Sequence, residues 1–459
     1  MGASCGDDDP AGPPVASVTS SASTGQDATP APPRAAVSGA IKLTSRARQR
    51  IEGWGTAVTT DQVFDPWGEV GRGDPSVARQ LDRLVLRSGI NLVRVFAPGP
   101  EQGRGDVAPW SADDGRLALV RRLQGKGVRF LFTGNGAPSA MLEKGGPYGK
   151  LRPGREAAYA AFLADCLQAA ARAGARFPYA AIGNEVDNDG SDGRLLSREQ
   201  AATVIAALAG EIRRRGLRTR VVLGDTTTWP STLDYANAQY AAVPRDQIAF
   251  VASHAYGGDE ARPEVARFAR QRRLPLWMTE WVSACPEGDC QDDPSIGFAL
   301  RWASQMTKDL TIAGASAWFM FRGIADSTHG ADGAIIVRTR GAARRFTETK
   351  RYPVLRQFTT AARRGVRRVD TSGNAKADVL QVGFASRRRR ALVLTNEGTD
   401  ANTVRVVLSR RPGRLRTWRT SASENFASRP ARRLARGTVD VMLPPQSVTT
   451  LVYEERPSR

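Results

Sequence analysis

The 459-residue sequence predicts a (β/α)8 barrel that carries an antiparallel β-sandwich side-domain. Three observations predict it. From Ile51 to about residue 365, apolar runs alternate with amphipathic stretches eight times. That alternation implies a parallel sheet covered by helices. Two of the runs, Ala-Ile-Gly-Asn184-Glu185 and Trp-Met-Thr-Glu280-Trp281, stop at a glutamate, and strand C-termini are where such barrels place their chemistry. After residue 366 the texture becomes short alternating runs separated by turn residues, with no helix between them; this reads as a sandwich.

In chain order, residues 1–40 are rich in Ser, Ala, Pro, Gly and Asp and poor in large apolar side chains. Such a stretch cannot offset its ordering entropy by burial, so it reads as an export or linker segment. Residues 41–50 are expected to add an N-terminal strand to the side-domain and clasp the two domains together. The barrel should span 51–365, with strands at 51–58, 91–97, 128–135, 179–185, 220–227, 248–256, 274–281 and 314–321. Helices should cover about 75–88, 114–125, 154–174, 197–215, 232–243, 261–272, 295–313 and 353–364. The sandwich should occupy 366–457, and the run Arg387 to Arg390 reads as a hairpin turn.

Composition narrows the function. There are 66 Lys+Arg against 46 Asp+Glu, a net charge of +20, and nearly all the cations are Arg. Positive surfaces attract nucleic acid, anionic membranes or acidic glycans. No basic block is interleaved with aromatics as a nucleic-acid site requires, so no nucleic-acid partner is expected. No run is long enough to span a membrane. The start, Met-Gly-Ala-Ser-Cys5, resembles the lipid-attachment segment of a bacterial lipoprotein, without the apolar signal region before it. A lipid anchor through Cys5 and an upstream start are the corresponding expectations. Cys285 and Cys290 bracket four residues after Glu280; with only His254 and His329 in the chain, a small disulfide suits them better than zinc and implies an oxidising compartment. Cys166 falls on a helix face with Phe162 and Ala169 and reads as a core thiol.

Glu185 ends the fourth expected strand and Glu280 the seventh, which brings them together over the barrel axis. Two carboxylates in one pocket are the equipment for glycosidic hydrolysis, one protonated as acid and one ionised as nucleophile. Arg94, closing the second strand, can donate to Glu280. Asn184 can bind a sugar hydroxyl. His254 and Tyr256 share one face by the period of two, with His254 beside the acid and Tyr256 on the nucleophile. Trp318 on the eighth strand is a stacking floor. Trp67, Trp110, Tyr148 and Trp229 are either sugar platforms or packing, and Arg322 and Arg338 are candidates to read a uronate.

This ordered set resembles glycoside hydrolase family 30, within a clan of retaining (β/α)8 enzymes, over about residues 45–455. Ile51-Glu52-Gly53-Trp54-Gly55-Thr56-Ala57 is similar to the family's opening segment. Lys350-Arg-Tyr352-Pro-Val-Leu-Arg-Gln-Phe358 and Leu443-Pro-Pro-Gln-Ser-Val-Thr-Thr-Leu-Val are similar to its last barrel helix and closing strand. The resemblance implies Glu185 as acid/base and Glu280 as nucleophile, and matches Arg94, His254, Tyr256 and Trp318 to clan positions. It also implies a sugar-binding role for Glu101. Ala140 stands where the family often has a Trp, which changes the pocket wall. The segment from Arg322 to Val337 matches no subfamily and is read as a loop.

The sequence therefore predicts a retaining β-glycosidase acting on a polysaccharide or oligosaccharide, without metal or organic cofactor, secreted or at the cell surface, and monomeric. The alternative is a catalytically inactive, carbohydrate-binding barrel at the cell surface.

Overall fold

A computed structural model describes residues 37–58, 75–96, 107–112, 114–144, 149–188, 194–283, 293–326, 333–340, 343–373 and 376–457. Eight parallel strands close the barrel in sequence order: Gly53–Val58, Leu92–Phe96, Arg129–Thr133, Tyr179–Ala181, Arg220–Thr226, Ile248–His254, Leu276–Glu280 and Ala317–Arg322. Each lies within its expected run or within one residue of it. Helices cover the outside, among them Gly115–Gln124, Glu156–Arg172, Arg198–Arg214, Trp229–Ala242, Arg262–Gln271, Ile296–Lys308 and Arg351–Ala361. Arg198–Arg214 starts on a capping box formed by Ser197 and Gln200, which satisfies orphan donors of its first turn.

Side chains alternate about the strands. Leu92, Leu131, Tyr179, Ala181, Val222, Phe250, Trp277, Ala317 and Phe319 fill the barrel. Their neighbours Val93, Phe130, Ala180, Val221, Val251, Met278 and Trp318 face the helices and join the large outer core. One glycine makes this filling possible. A Cβ on Gly55 would lie 2.2 Å from the Phe319 ring, so a bare backbone admits that ring to the interior.

The side-domain is one nine-stranded sheet curled on itself. Its strand order is Ala427–Leu434, Gly413–Thr420, Ser447–Glu455, Arg389–Asn396, Val379–Ala385, Arg367–Ser372, Val37–Arg50, Asn402–Ser409 and Gly437–Leu443. A single core of Ile41, Leu392, Leu394, Val404, Val406, Leu415, Val441, Leu451 and Tyr453 joins strands from both ends, which makes two facing layers. The N-terminal strand pairs antiparallel with Arg367–Ser372 but parallel with Asn402–Ser409, so the sandwich is not wholly antiparallel as expected. The turn at Arg387 and Arg388 does join two paired strands.

The opposite face of the sheet belongs to the barrel. Ala391, Val393, Val448 and Val452 alternate with the sandwich core residues and pack into the outer core around helix Arg351–Ala361. Polar contacts complete the joint. Gln357 donates to Thr420 Oγ1 at 2.8 Å, and Thr450 Oγ1 donates to the Gln357 carbonyl at 3.1 Å. Arg389 donates to the carbonyls of Ala361 and Thr360, satisfying the helix C-terminus.

The expected loop after the eighth strand instead contributes a three-stranded sheet, Ile324–Asp326, Ile335–Arg340 and Ala343–Glu348. Its brief strands carry charged residues that masked the period of two. Cys5, Glu101, Cys285 and Cys290, with Trp67 and Tyr148, lie outside the described residues. Among the described residues no helix is long and apolar enough to cross a membrane.

Gly55→Ala should cost about 1–3 kcal/mol by overpacking, because the Phe319 ring is backed by Trp277. Chemical denaturation of both proteins measures this; an unchanged midpoint would show that the ring yields freely.

Candidate active site

The C-terminal ends of the second, third, fifth, sixth and seventh strands, with the turn after the fourth, converge on one buried guanidinium. Arg94 has no exposed surface. It donates to Glu280 Oε2 at 2.5 Å, Asn184 Oδ1 at 2.8 Å, Asp225 Oδ2 at 2.9 Å and Thr133 Oγ1 at 3.0 Å. A buried charge is tolerated only when paired and hydrogen-bonded, and four of the five N–H groups of this fork are used. Burial alone would lower its pKa, but the charges of Asp225 and Glu280 raise it.

Around Arg94 the carboxylates are placed by irregular backbone. Glu185 sits at φ 44 and Asp225 at φ 62. The strand pairing slips by one residue between Gly224 and Thr226 and again between Met278 and Glu280. Non-glycine residues in the left-handed region carry a cost and cluster at functional sites. Here the slips turn Asp225 and Glu280 toward the pocket, where a regular period would send neither beside its inward partner.

Glu280 accepts a second bond, from the Tyr256 hydroxyl to Oε1 at 3.0 Å. Burial and the nearby Glu280 charge push the Tyr256 phenol well above its ordinary pKa, so it stays a donor. His254 Nδ1 lies 2.8 Å from Glu185 Oε1 and 3.9 Å from Glu280 Oε1, and its Nε2 lies 3.4 Å from Asp225 Oδ1. Burial works against its imidazolium, yet the charges of Glu280, Asp225 and Glu185 win and raise it from 6.5 to about 10. Asp225 would be raised by burial, but Arg94, His254 and the Thr279 hydroxyl, 2.7 Å away, hold it far below the carboxylate range.

Glu185 differs from expectation. Burial raises its carboxyl, but the hydrogen bond and charge of His254, then Asn188 at 3.0 Å, bring it below its ordinary value. The open site therefore holds the proton on His254, with Glu185 as its partner.

The structure thus gathers Glu185, Glu280, Arg94, Asn184, His254 and Tyr256. It does not bring in Trp318. That side chain is fully buried on the helix side of its strand, donates to Asp309 Oδ2 at 3.0 Å and packs on Trp302. Phe319 holds the inward phase, so Trp318 faces away. Trp110 and Trp229 are core residues as well, Trp110 being stacked on Phe177. Ala140 is exposed on the one-turn helix Ser139–Met141. Asp225, Thr133, Thr279 and Asn188 were not anticipated. The only signal for Asp225 was a charge inside the apolar run Val-Val-Leu-Gly-Asp225.

Ligand atoms of Glu185, His254 and Glu280 lie within 4.8 Å of one another. A metal there would have to break the His254–Glu185 bond and compete with Arg94 for Glu280.

Comparison with known proteins agrees with this fold. Residues 160–345 match the family model described as the glycosyl hydrolase catalytic core, a span containing both Glu185 and Glu280. A family 30 endoxylanase from Clostridium papyrosolvens C71 superposes with a TM-score of 0.70 at 19% identity, covering 91% of this chain and 99% of that one. The family 30 subfamily 8 xylanase Xyn30A of Clostridium acetobutylicum gives 0.68 at 21%, with 91% and 99% covered. A conserved exported protein from Bacteroides fragilis gives 0.71 at 15%, with 90% and 100% covered. No curated protein matches the sequence. Part of the barrel thus matches the glycosyl hydrolase catalytic core, and the barrel with its side-domain has the fold of these family 30 enzymes.

The raised His254 is directly measurable. With His329 replaced by Gln, imidazole NMR should show one titration with a midpoint of about 10, and a lower midpoint in Asp225→Asn. A folded-state pKa above 6.5 means this group's stabilisation is complete below pH 6.5 and lost as pH rises toward about 10. A midpoint near 6.5 would show that His254 is neutral in the working enzyme.

Proposed function

We propose that this glycoside hydrolase is a retaining β-glycosidase working by double displacement on a polysaccharide or oligosaccharide, with Glu280 as nucleophile and Glu185 as acid/base. The observation that carries this reading is the approach of Glu185 and Glu280 oxygens to within 4.8 Å. Retaining enzymes need about 5–5.5 Å between their carboxyl groups, whereas inverting ones need about 6.5–9.5 Å to admit a water.

In the first step a Glu280 oxygen bonds to the anomeric carbon as the glycosidic C–O bond breaks. Arg94 and Tyr256 orient that carboxylate, each holding one oxygen. His254 passes its proton from Nδ1 to Glu185 Oε1, and Glu185 gives that proton to the leaving oxygen, which leaves Glu185 ionised and His254 neutral. Esterification removes the Glu280 charge, the strongest support of the imidazolium, which favours the neutral His254 of the intermediate. In the second step Glu185 deprotonates the incoming water, which attacks the anomeric carbon and frees Glu280, and the proton returns from Glu185 to His254. Asn184, fixed through Oδ1 by Arg94, offers its amide donors to a sugar hydroxyl. Asp225 acts as a positioning residue: it holds Arg94 and Thr279 and faces His254, without reaching the reacting atoms. An extracellular place of action suits a polymeric substrate.

Exposure to a panel of 2-deoxy-2-fluoro glycosides, read by intact mass and peptide mapping, should give one adduct on Glu280. An adduct elsewhere would overturn the assignment. Glu280→Gln should lower kcat by a factor on the order of 10^4 or more while leaving the fold intact. Glu185→Ala should lose roughly 10²–10⁴-fold on poor leaving groups and be rescued by azide on good ones; no rescue would move the acid role elsewhere.

A further inference from the structure

The side-domain carries 18 Lys+Arg against 8 Asp+Glu over residues 366–457, which is half of the chain's net charge of +20. Much of this excess meets in one groove. Its volume is 1460 Å³, and seven cationic side chains line it against a single carboxylate. The volume exceeds the roughly 300–1,000 Å³ of a small-molecule pocket.

Arginine abundance alone does not account for the grouping. Several arginines elsewhere in this domain are matched, Arg405 with Asp440 at 2.7 Å, Arg48 with Asp370 at 2.6 Å and Arg419 with Glu424, whereas Arg414, Arg432 and Arg433 stand apart on the outer strands. In the groove, Lys42, Arg387, Arg410, Arg411 and Arg436 have no side-chain partner among the described residues. They come from the N-terminal strand and three separate turns, so the fold, rather than a run in the sequence, assembles them. The one carboxylate, Glu455, already accepts from Ser409 at 2.8 Å and faces Arg390 at 3.5 Å. Uncompensated like charges repel, and an anionic ligand relieves that repulsion.

The groove lies away from the active site. Arg389 binds the C-terminus of helix Arg351–Ala361, which runs back toward the strands' N-terminal ends. Strand Arg389–Asn396 therefore starts at the floor of the barrel. At its other end, Glu397 lines a hollow with Tyr256 and Trp281 on the catalytic face. Arg387 and Arg390 mark the floor end.

We propose that this groove is an anchoring site for an acidic polysaccharide whose repeating carboxylates bind the arginines. Guanidinium forks match carboxylates in two-point fashion. Thr44, Ser45, Ser386, Ser409 and Thr438 supply hydroxyls to the same walls, suited to sugar hydroxyls, and no aromatic lines them for stacking bases. The choice of a glycan among polyanions rests on the glycoside hydrolase reading; the site itself is separate from the catalytic pocket.

Titration of the full chain with polygalacturonate, a neutral β-glucan and a short DNA duplex tests the proposal. The polyuronate should bind, with an affinity that falls steeply with salt, and the β-glucan should not. The double variant Arg410→Glu/Arg411→Glu should lose at least about tenfold in affinity with an unchanged melting temperature. The control pair Arg213→Glu/Arg218→Glu, exposed on another part of the chain, changes net charge equally and should retain binding. Absence of polyuronate binding, equal loss in both variants, or tighter binding of DNA would each overturn the proposal. Hydrolysis of an aryl glycoside is read in parallel; loss of turnover with binding intact would strike the catalytic reading alone.

Discussion

Arg94 is a full charge with no exposed surface, and the rest of the site is arranged around that fact. Removing either carboxylate partner would strand a buried cation, typically a cost of about 3–5 kcal/mol. The same contacts that make the guanidinium tolerable also orient Glu280, Asn184 and Asp225. Stability and chemistry are therefore one requirement here, and neither can be altered without the other. Three carboxylates surround two cations, Arg94 and His254. That surplus of negative charge is what holds a proton on His254 next to Glu185.

The backbone absorbs the geometric cost. Glu185 and Asp225 adopt left-handed conformations, which regular strands never supply. Glu185 is held there by its own N–H, which donates to the Asp225 carbonyl at 3.0 Å. The two irregular residues thus brace each other across neighbouring strands. Such strain persists because the closed barrel around it is filled to the axis, with Phe319 seated over Gly55 and Trp277 stacked on Phe250.

This explains what could be seen in the sequence. Strand order and helix order follow from hydrophobic period, so the barrel was legible almost to the residue. Glu185 and Glu280 were legible because apolar runs end on them, and His254 with Tyr256 because a period of two puts them on one face. Asp225 was hidden because its inward position comes from a one-residue slip that no periodic reading contains. Trp318 was misplaced for a related reason. Both Trp318 and Phe319 are large and apolar, and the phase of the strand is decided only by Gly55 opposite. The ionised state of Glu185 was not legible because it depends on the charge that His254 carries beside it.

The side-domain supports the barrel through a sheet whose two faces serve different cores. Leu392 and Leu394 point into the sandwich while Ala391 and Val393 point at the barrel helix. That helix follows the eighth strand and ends on Arg389, and the Trp54 indole donates to the Ala362 carbonyl just beyond it at 2.8 Å. Trp54 belongs to the first strand, between Gly53 and Gly55, so the sheet, the last helix and the closure of the barrel are mechanically continuous. A load on the sheet from a bound polymer would pass into this closure rather than into the loops around Glu185 and Glu280. An anchor at the floor of the barrel can hold the enzyme on a polymer while the opposite face, where the reacting carboxylates lie, remains open to a different segment of chain.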